Sequence, residues 1–294
     1  MKKYIFSDLI MENAAIKNTS CGNIDPDEYS CEWKSGIEIC KLNIKNGEAS
    51  KRYSCAVGSY VTVYTDRLDR YDTFERDTIS DIVADEIRAL TQKNCAKRDI
   101  NSLSVLIAGM GNREITPDAL GARTVDLVRV TRHMQKFHPD YSNEVSTITA
   151  VACGVLGKTG IESFELLKGI IDQIHPQLLI AVDALAAKSS SRVASVIQIS
   201  DTGISPGSGV GNKLTEINQK TVGIPVIALG IPTVVSAATL VADALNDAGI
   251  QVVDKKMRGV LENYREMFVS PKECDLIVKS SAELLARAIE KAFL

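Results

Sequence analysis

The sequence predicts an α/β protein: a mostly parallel sheet with helices on both faces, and a smaller β-containing part at its N-terminus. Three observations carry this prediction. From about residue 100 onward, short apolar runs alternate with stretches of helical spacing. Those runs are apolar throughout rather than at every second position, as in strands buried on both faces. Before residue 100 the strand-like runs instead alternate, or are rich in β-branched and aromatic residues, as on a half-buried surface.

In chain order, residues 1–34 read as irregular, with Gly, Asn, Asp and Pro in "CGNIDPDEYS" marking a loop. "GIEICKLNIK" (36–45) alternates and reads as a strand, and "SYVTVYT" (59–65) as a second. Ile79, Ile82, Val83, Ile87 and Leu90 predict a helix over 76–92. "LSVLIAGMG" (103–111) reads as a strand, followed by a helix over 116–134. A strand at 146–152 and a helix at 160–174 repeat the pattern. Strands at 177–183 and 194–200 precede a Gly-rich loop (203–212) and a strand at 224–230. A helix over 232–249 ends at a Gly suited to a C-cap, and the last helix covers 273–293. The change of pattern divides a leader and strand/helix subdomain (1–100) from an α/β catalytic core (101–294). No flexible linker separates them, so one compact domain is equally consistent with the sequence.

Composition narrows the function. The 294 residues are 45% hydrophobic and 24% charged, with a net charge of −3. No basic footprint argues for direct nucleic-acid binding. No apolar run approaches the roughly 20 residues of a membrane span, and "MKKYIFSDLIMENAA" makes a poor secretion signal. A cytoplasmic protein is expected. Seven cysteines at irregular spacings form no CxxC pair, so free thiols are expected rather than a zinc site or disulfide framework. His133, His138 and His175 are scattered and show no metal-binding pattern. No metal or cofactor is expected.

In sheets of this kind ligands bind beyond the carboxyl ends of the strands. Asp118 follows the strand at 103–111, Asp183 ends "LLIAVD", and Asp201 follows "VIQIS". Two carboxylates brought together can activate a water, because proximity separates their pKa values. Each has a plain structural reading too. Thr116-Pro117-Asp118 looks like a helix N-cap, a Pro at N1 and a first-turn acid. Asp183 can start a helix through "DALAAK", and Asp201, before Thr202-Gly203, reads as a turn residue. In "DTGISPGSGVGNK", Gly207, Gly209 and Gly211 do not make a nucleotide-binding loop. They offer a backbone that passes close to a substrate chain, with at least one residue at positive φ.

"GMGNREITPDALG", "VTRH", "TGIES", "AVDALAAK", "IQISDTGISPGSGVGNK" and "GIPVIALGIPTVV" together, in this order, resemble the germination protease family of spore-forming bacteria. "VSPKECDLIV" extends the likeness, and "SDLIMENA" (7–14) resembles the segment around that family's propeptide cleavage point. The resemblance implies an endopeptidase that degrades small acid-soluble spore proteins during germination, in the spore core. It implies an aspartic-type acid pair falling on Asp118 and Asp183, and cleavage between Asp8 and Leu9 by a self-processing tetrameric zymogen. It also implies a fold similar to that of the hydrogenase-maturation proteases, in which comparable acids bind nickel. Two other readings stand beside this one: a metal-dependent maturation-type protease, and a catalytically silent relative that grips spore proteins.

Overall fold

The computed structural model describes residues 9, 28–53, 55–96, 98–137, 145–207, 214–250 and 255–294. Strands β1 (Tyr29–Lys34) and β2 (Ile37–Ile44) form a hairpin closed by Ser35 and Gly36 at φ 52° and 78°. Two residues at positive φ match the twist of the flanking strands. β1 lies where the sequence reads as irregular; most of its residues are exposed, so no apolar period marks it. The turn sets Cys31 directly opposite Cys40, and the two form a disulfide with Cα atoms 4.1 Å apart. This corrects the expectation of free thiols throughout: the pairing follows from hairpin register, which cysteine spacing alone does not reveal. Cys55, Cys95, Cys153 and Cys274 are buried and not disulfide-bonded, and Cys21 lies outside the described residues.

A short helix α1 (Gly47–Tyr53) leads to β3 (Gly58–Tyr64), then to α2 (Thr73–Asn94). A capping box starts α2: Asp72 accepts from the Glu75 N–H while the Glu75 side chain accepts from the Asp72 N–H. Its apolar stripe is the expected one, with Ile79, Ile82, Val83, Ile87 and Leu90 all buried. β4 (Ser104–Met110) is followed by a 3₁₀ turn at Thr116–Asp118 and α3 (Leu120–Leu127). The single helix expected over 116–134 is thus interrupted. At its break the Thr131 N–H donates to Ile148 O, and the Thr131 hydroxyl bridges Ser146 O and the Ile148 N–H, tying the chain to the next strand.

β5 (Thr147–Gly154), α4 (Ser163–Ile174), β6 (Leu178–Ala187), β7 (Val196–Ser200) and β8 (Val226–Ser236) follow. The chain then forms α5 (Ala237–Asp247), α6 (Lys255–Glu262), the short β9 (Phe268–Val269) and α7 (Cys274–Phe293).

One nine-stranded sheet results, in the order β1-β2-β3-β7-β8-β6-β4-β5, with β9 on β8. The α/β class is as expected, but the sheet is mixed rather than mostly parallel. β5, β4, β6 and β8 form its parallel block, and the other pairings are antiparallel. β7 reverses because residues 188–195 are too few for a parallel crossover of a dozen or more residues. Ile39 and Val63 share one hydrophobic cluster with Ile197, Leu229 and Leu285, so residues on both sides of position 100 contribute to the same core. α7 packs on α2 and α3 on this face, while Leu167 and Ile171 of α4 cover the other. No helix among the described residues is long and apolar enough to cross a membrane.

Candidate active site

Glycines set the distance between the two acid-bearing segments. A Cβ on Gly109 in β4 would lie 2.2 Å from the Gly121 carbonyl oxygen. A Cβ on Gly121 in α3 would lie 2.3 Å from the Val182 carbonyl oxygen and 2.4 Å from Met110 N. Only hydrogen at both positions lets α3 rest directly on β4 and β6. The turn carrying Asp118, at the foot of α3, is thereby seated beside the strand carrying Asp183.

Asp118 ends the 3₁₀ turn, and Pro117 occupies an early position as expected. The capping reading of this turn is corrected: no side chain caps it, and Ile115, not Thr116, holds the N-cap position. The Asp118 carboxylate instead folds back, and its Oδ2 accepts the Asn112 N–H at 2.6 Å. Gly111, at φ 88°, makes room, since a Cβ there would lie 2.0 Å from the Asp118 carbonyl oxygen. Burial pushes the Asp118 carboxyl up, against the opposing pull of the Asn112 N–H.

Asp183 lies inside β6, in register with Gly230 of β8, rather than at the strand's end. Pairing with β8 continues through Ala187, so the helix expected from "DALAAK" does not form. The Ala184 N–H donates to Asp183 Oδ1 at 2.9 Å. Burial first, then the Asp183 charge, push the nearby Cys153 thiol up to about 12. Cys153 is therefore a thiol at any physiological pH and a poor nucleophile.

Both acids line one cavity of about 1080 Å³. Gly207 lines it as well, at φ 71°. Gly209, Gly211 and Asp8 lie outside the described residues. Leu9 is buried in a cluster with Leu185, which also belongs to the cavity wall. Tyr60 faces the same cavity with its hydroxyl donated to Ala56 O, and burial pushes that phenol up to about 12.

Asp201 is not part of the cavity lining, and its carboxylate bonds to distant elements rather than within the turn read for it. Its carboxylate accepts the Ser59 N–H at 2.6 Å, Lys93 Nζ at 2.8 Å and Asn94 Nδ2 at 3.3 Å. It clasps the end of β7 to β3 and α2. His133 is exposed, and His175 closes α4 in a left-handed C-cap.

Sequence reasoning passed over Thr233. Its register shift on β8, between the Leu185 and Ala186 pairings, makes Thr233 the extra residue of a bulge beside Pro232. The buried Thr233 hydroxyl donates to Pro117 O at 2.7 Å and so holds the turn of Asp118, and both residues line the cavity. The available signal was Pro232 inside an apolar run, since a proline within a sheet marks an edge or a bulge.

A sequence profile described as germination protease matches residues 7–259. The chain belongs to the germination protease family. A germination protease of Clostridium acetobutylicum is 39% identical over 87% of this chain and 84% of its own. One from Clostridium tetani is 34% identical over 97% and 94%, and one from Oceanobacillus iheyensis is 44% identical over 75% and 62%. Among solved structures, the [NiFe] hydrogenase maturation protease HycI from Thermococcus kodakarensis KOD1 aligns over 65% of this chain and 92% of its own. That likeness has 19% identity and a TM-score of 0.36, too loose to carry an argument. Membership of the germination protease family makes this protein a peptidase acting in germination.

Proposed function

We propose that the protein is an aspartic-type endopeptidase that cuts small acid-soluble spore proteins, with Asp118 and Asp183 as its acid pair. The observation that carries this reading is that the two carboxyl groups, 65 positions apart in sequence (183 − 118), line one cavity. Asp118 is suited to hold the proton, because burial favours its neutral form. The Asn112 N–H engages Oδ2, which leaves Oδ1 to carry that proton. Asp183, as carboxylate, takes a proton from a water placed between the pair. The hydroxide so formed attacks the scissile carbonyl carbon while Asp118 donates its proton to the carbonyl oxygen. Collapse of the tetrahedral adduct breaks the C–N bond: the proton on Asp183 passes to the departing amine, and one hydroxyl of the adduct returns a proton to the Asp118 carboxylate as the new carboxyl group forms. Gly207, in the cavity wall, gives the substrate backbone close approach, and Gly209 and Gly211, outside the described residues, are assigned to substrate binding by the same reading of the Gly-rich segment.

The same reading makes the protein a precursor cut between Asp8 and Leu9, acting as a homotetramer in the spore core. The burial of Leu9 beside Leu185 supports it, because Leu185 also walls the cavity.

The test is cleavage of a purified small acid-soluble spore protein by wild type, Asp118→Asn and Asp183→Asn, with and without chelator. Asn keeps the shape and can still accept the Asn112 N–H, but cannot exchange a proton as a carboxyl group does. Each variant should fold and lose activity by about a hundredfold or more. Near-wild-type cleavage by both would sink the acid-pair assignment. Loss of wild-type activity on chelation would transfer the chemistry to a metal-dependent mechanism.

A further inference from the structure

The β1–β2 hairpin carries a second group of chemistry-bearing side chains, away from the cavity. Cys31 and Cys40 face each other across the two strands, and Trp33 faces Glu38. Side chains two positions apart on a strand share a face, so Cys31, Cys40 and Glu38 all project to one side. The two sulfurs and a Glu38 carboxylate oxygen lie within 4.8 Å of one another. Cys40 is buried, Glu38 half-buried and Cys31 exposed, so the group has a protein floor and an open approach. The Tyr29 hydroxyl lies 2.9 Å from Cys31 Sγ and 3.4 Å from Cys40 Sγ. Among the described residues Glu38 has no ion-pair partner.

We infer that Cys31, Cys40 and Glu38 form a redox-gated site for a zinc-type divalent cation. With the disulfide closed, the sulfurs have no thiolate to offer and the site is shut. A dithiol reductant opens it: the disulfide gains two electrons and two protons, and the reductant becomes a disulfide. On metal binding the two thiols release their protons to solvent, and the thiolates and the Glu38 carboxylate become three ligands. Solvent on the Cys31 side supplies the fourth. Two thiolates and a carboxylate match zinc's ligand preference, with the fourth position open. The hairpin suits this geometry. Cβ atoms directly opposite across antiparallel strands are about 4.5–5.5 Å apart. Zn–S bonds of about 2.3 Å at a tetrahedral centre need sulfurs about 3.8 Å apart, which side-chain rotation reaches without moving either strand. Tyr29 is placed to donate its hydroxyl to a ligating sulfur and so fix its orientation.

The experiment titrates Co²⁺, then Zn²⁺, into the full chain with the disulfide reduced and with it oxidised. Thiolate-to-cobalt charge-transfer absorption reports sulfur ligation, and zinc should abolish it by displacement. We expect one equivalent of cobalt to bind reduced wild type with this band, and none to bind the oxidised protein. Cys31→Ser should lose the band. Glu38→Gln, which leaves both thiols in place, should bind more weakly by roughly tenfold or more, the lower end for partners in metal sites. A reduced wild type without the band would overturn the inference. So would a band of equal strength in Cys31→Ser, which would place the ion on the other cysteines, or unchanged affinity in Glu38→Gln. Circular dichroism of each variant identifies loss through misfolding, in which case the Glu38→Gln affinity decides.

Discussion

Burial raises the Asp118 carboxyl above its ordinary value, while the N–H of Asn112 resists the shift. A group raised in this way holds its proton in the folded state at pH values where the unfolded chain has released it. Its favourable contribution is complete below the ordinary carboxylate value and is lost as pH rises through the raised one. At neutral pH the Asp118 carboxylate therefore weighs against folding, and Asp118→Asn removes that burden. The melting temperature of Asp118→Asn should equal or exceed that of wild type at neutral pH, and the gap should narrow as the solution is acidified. Calorimetry over a pH series checks this. A variant clearly less stable than wild type at neutral pH would mean that the Asn112 bond to a charged oxygen outweighs burial. Stability kept while cleavage is lost is the pattern of a side chain retained for chemistry rather than for the fold.

On β8, the Pro232–Thr233 bulge is where an irregularity of one strand fixes the turn that carries Asp118. Thr233→Val keeps the shape and removes the donor, leaving the Pro117 carbonyl without this partner at a cost of about 1–3 kcal/mol. Cleavage by Thr233→Val should fall, whereas Thr233→Ser, which can still donate, should stay near wild type. Comparing kcat for the two variants on one spore-protein substrate checks this, and equal rates would remove Thr233 from the support of Asp118. The bulge also marks where sequence reading ran short. Apolar runs exposed β4, β5, β6, β7 and β8 because buried strands need no polar residues, and Asp118 and Asp183 stood out against them. The extent of β6 was hidden, because an acid reads as a terminator unless one knows that a cavity receives it. β1 was hidden because its residues are mostly exposed. The break after α3 was hidden because Thr131 gives up helical bonds for bonds to Ser146 and Ile148. The Cys31–Cys40 pair needed the register that Ser35 and Gly36 impose. In each case the missing information was a partner distant in sequence or a register, neither of which local composition records.

Across the whole molecule, one sheet joins the first strands to the acid-bearing ones, and Leu9 enters that assembly against Leu185, Val235 and Ile277. If the Asp8–Leu9 bond is the processing point, purified protein held at mildly acidic pH should develop a new N-terminus at Leu9. Acid favours protonation of one member of a carboxylate pair. Asp183→Asn should retain Met1 under the same conditions. N-terminal sequencing over time reads the result, and an intact Met1 in a fully active enzyme would end the precursor reading. The seam between β3 and β7 bears on how the chain is made. Ser59 and Asp201, bonded across it, are 142 positions apart. At about 5–20 residues per second, β3 leaves the ribosome roughly 7–28 s before its partner exists. During that interval the hairpin of the first strands presents an open row of amide and carbonyl groups to every neighbouring nascent chain. The newborn protein is exposed to mispairing until the strand that covers β3 has been translated, so slowing elongation ahead of residue 196 should lower the yield of folded protein without altering a single residue of it.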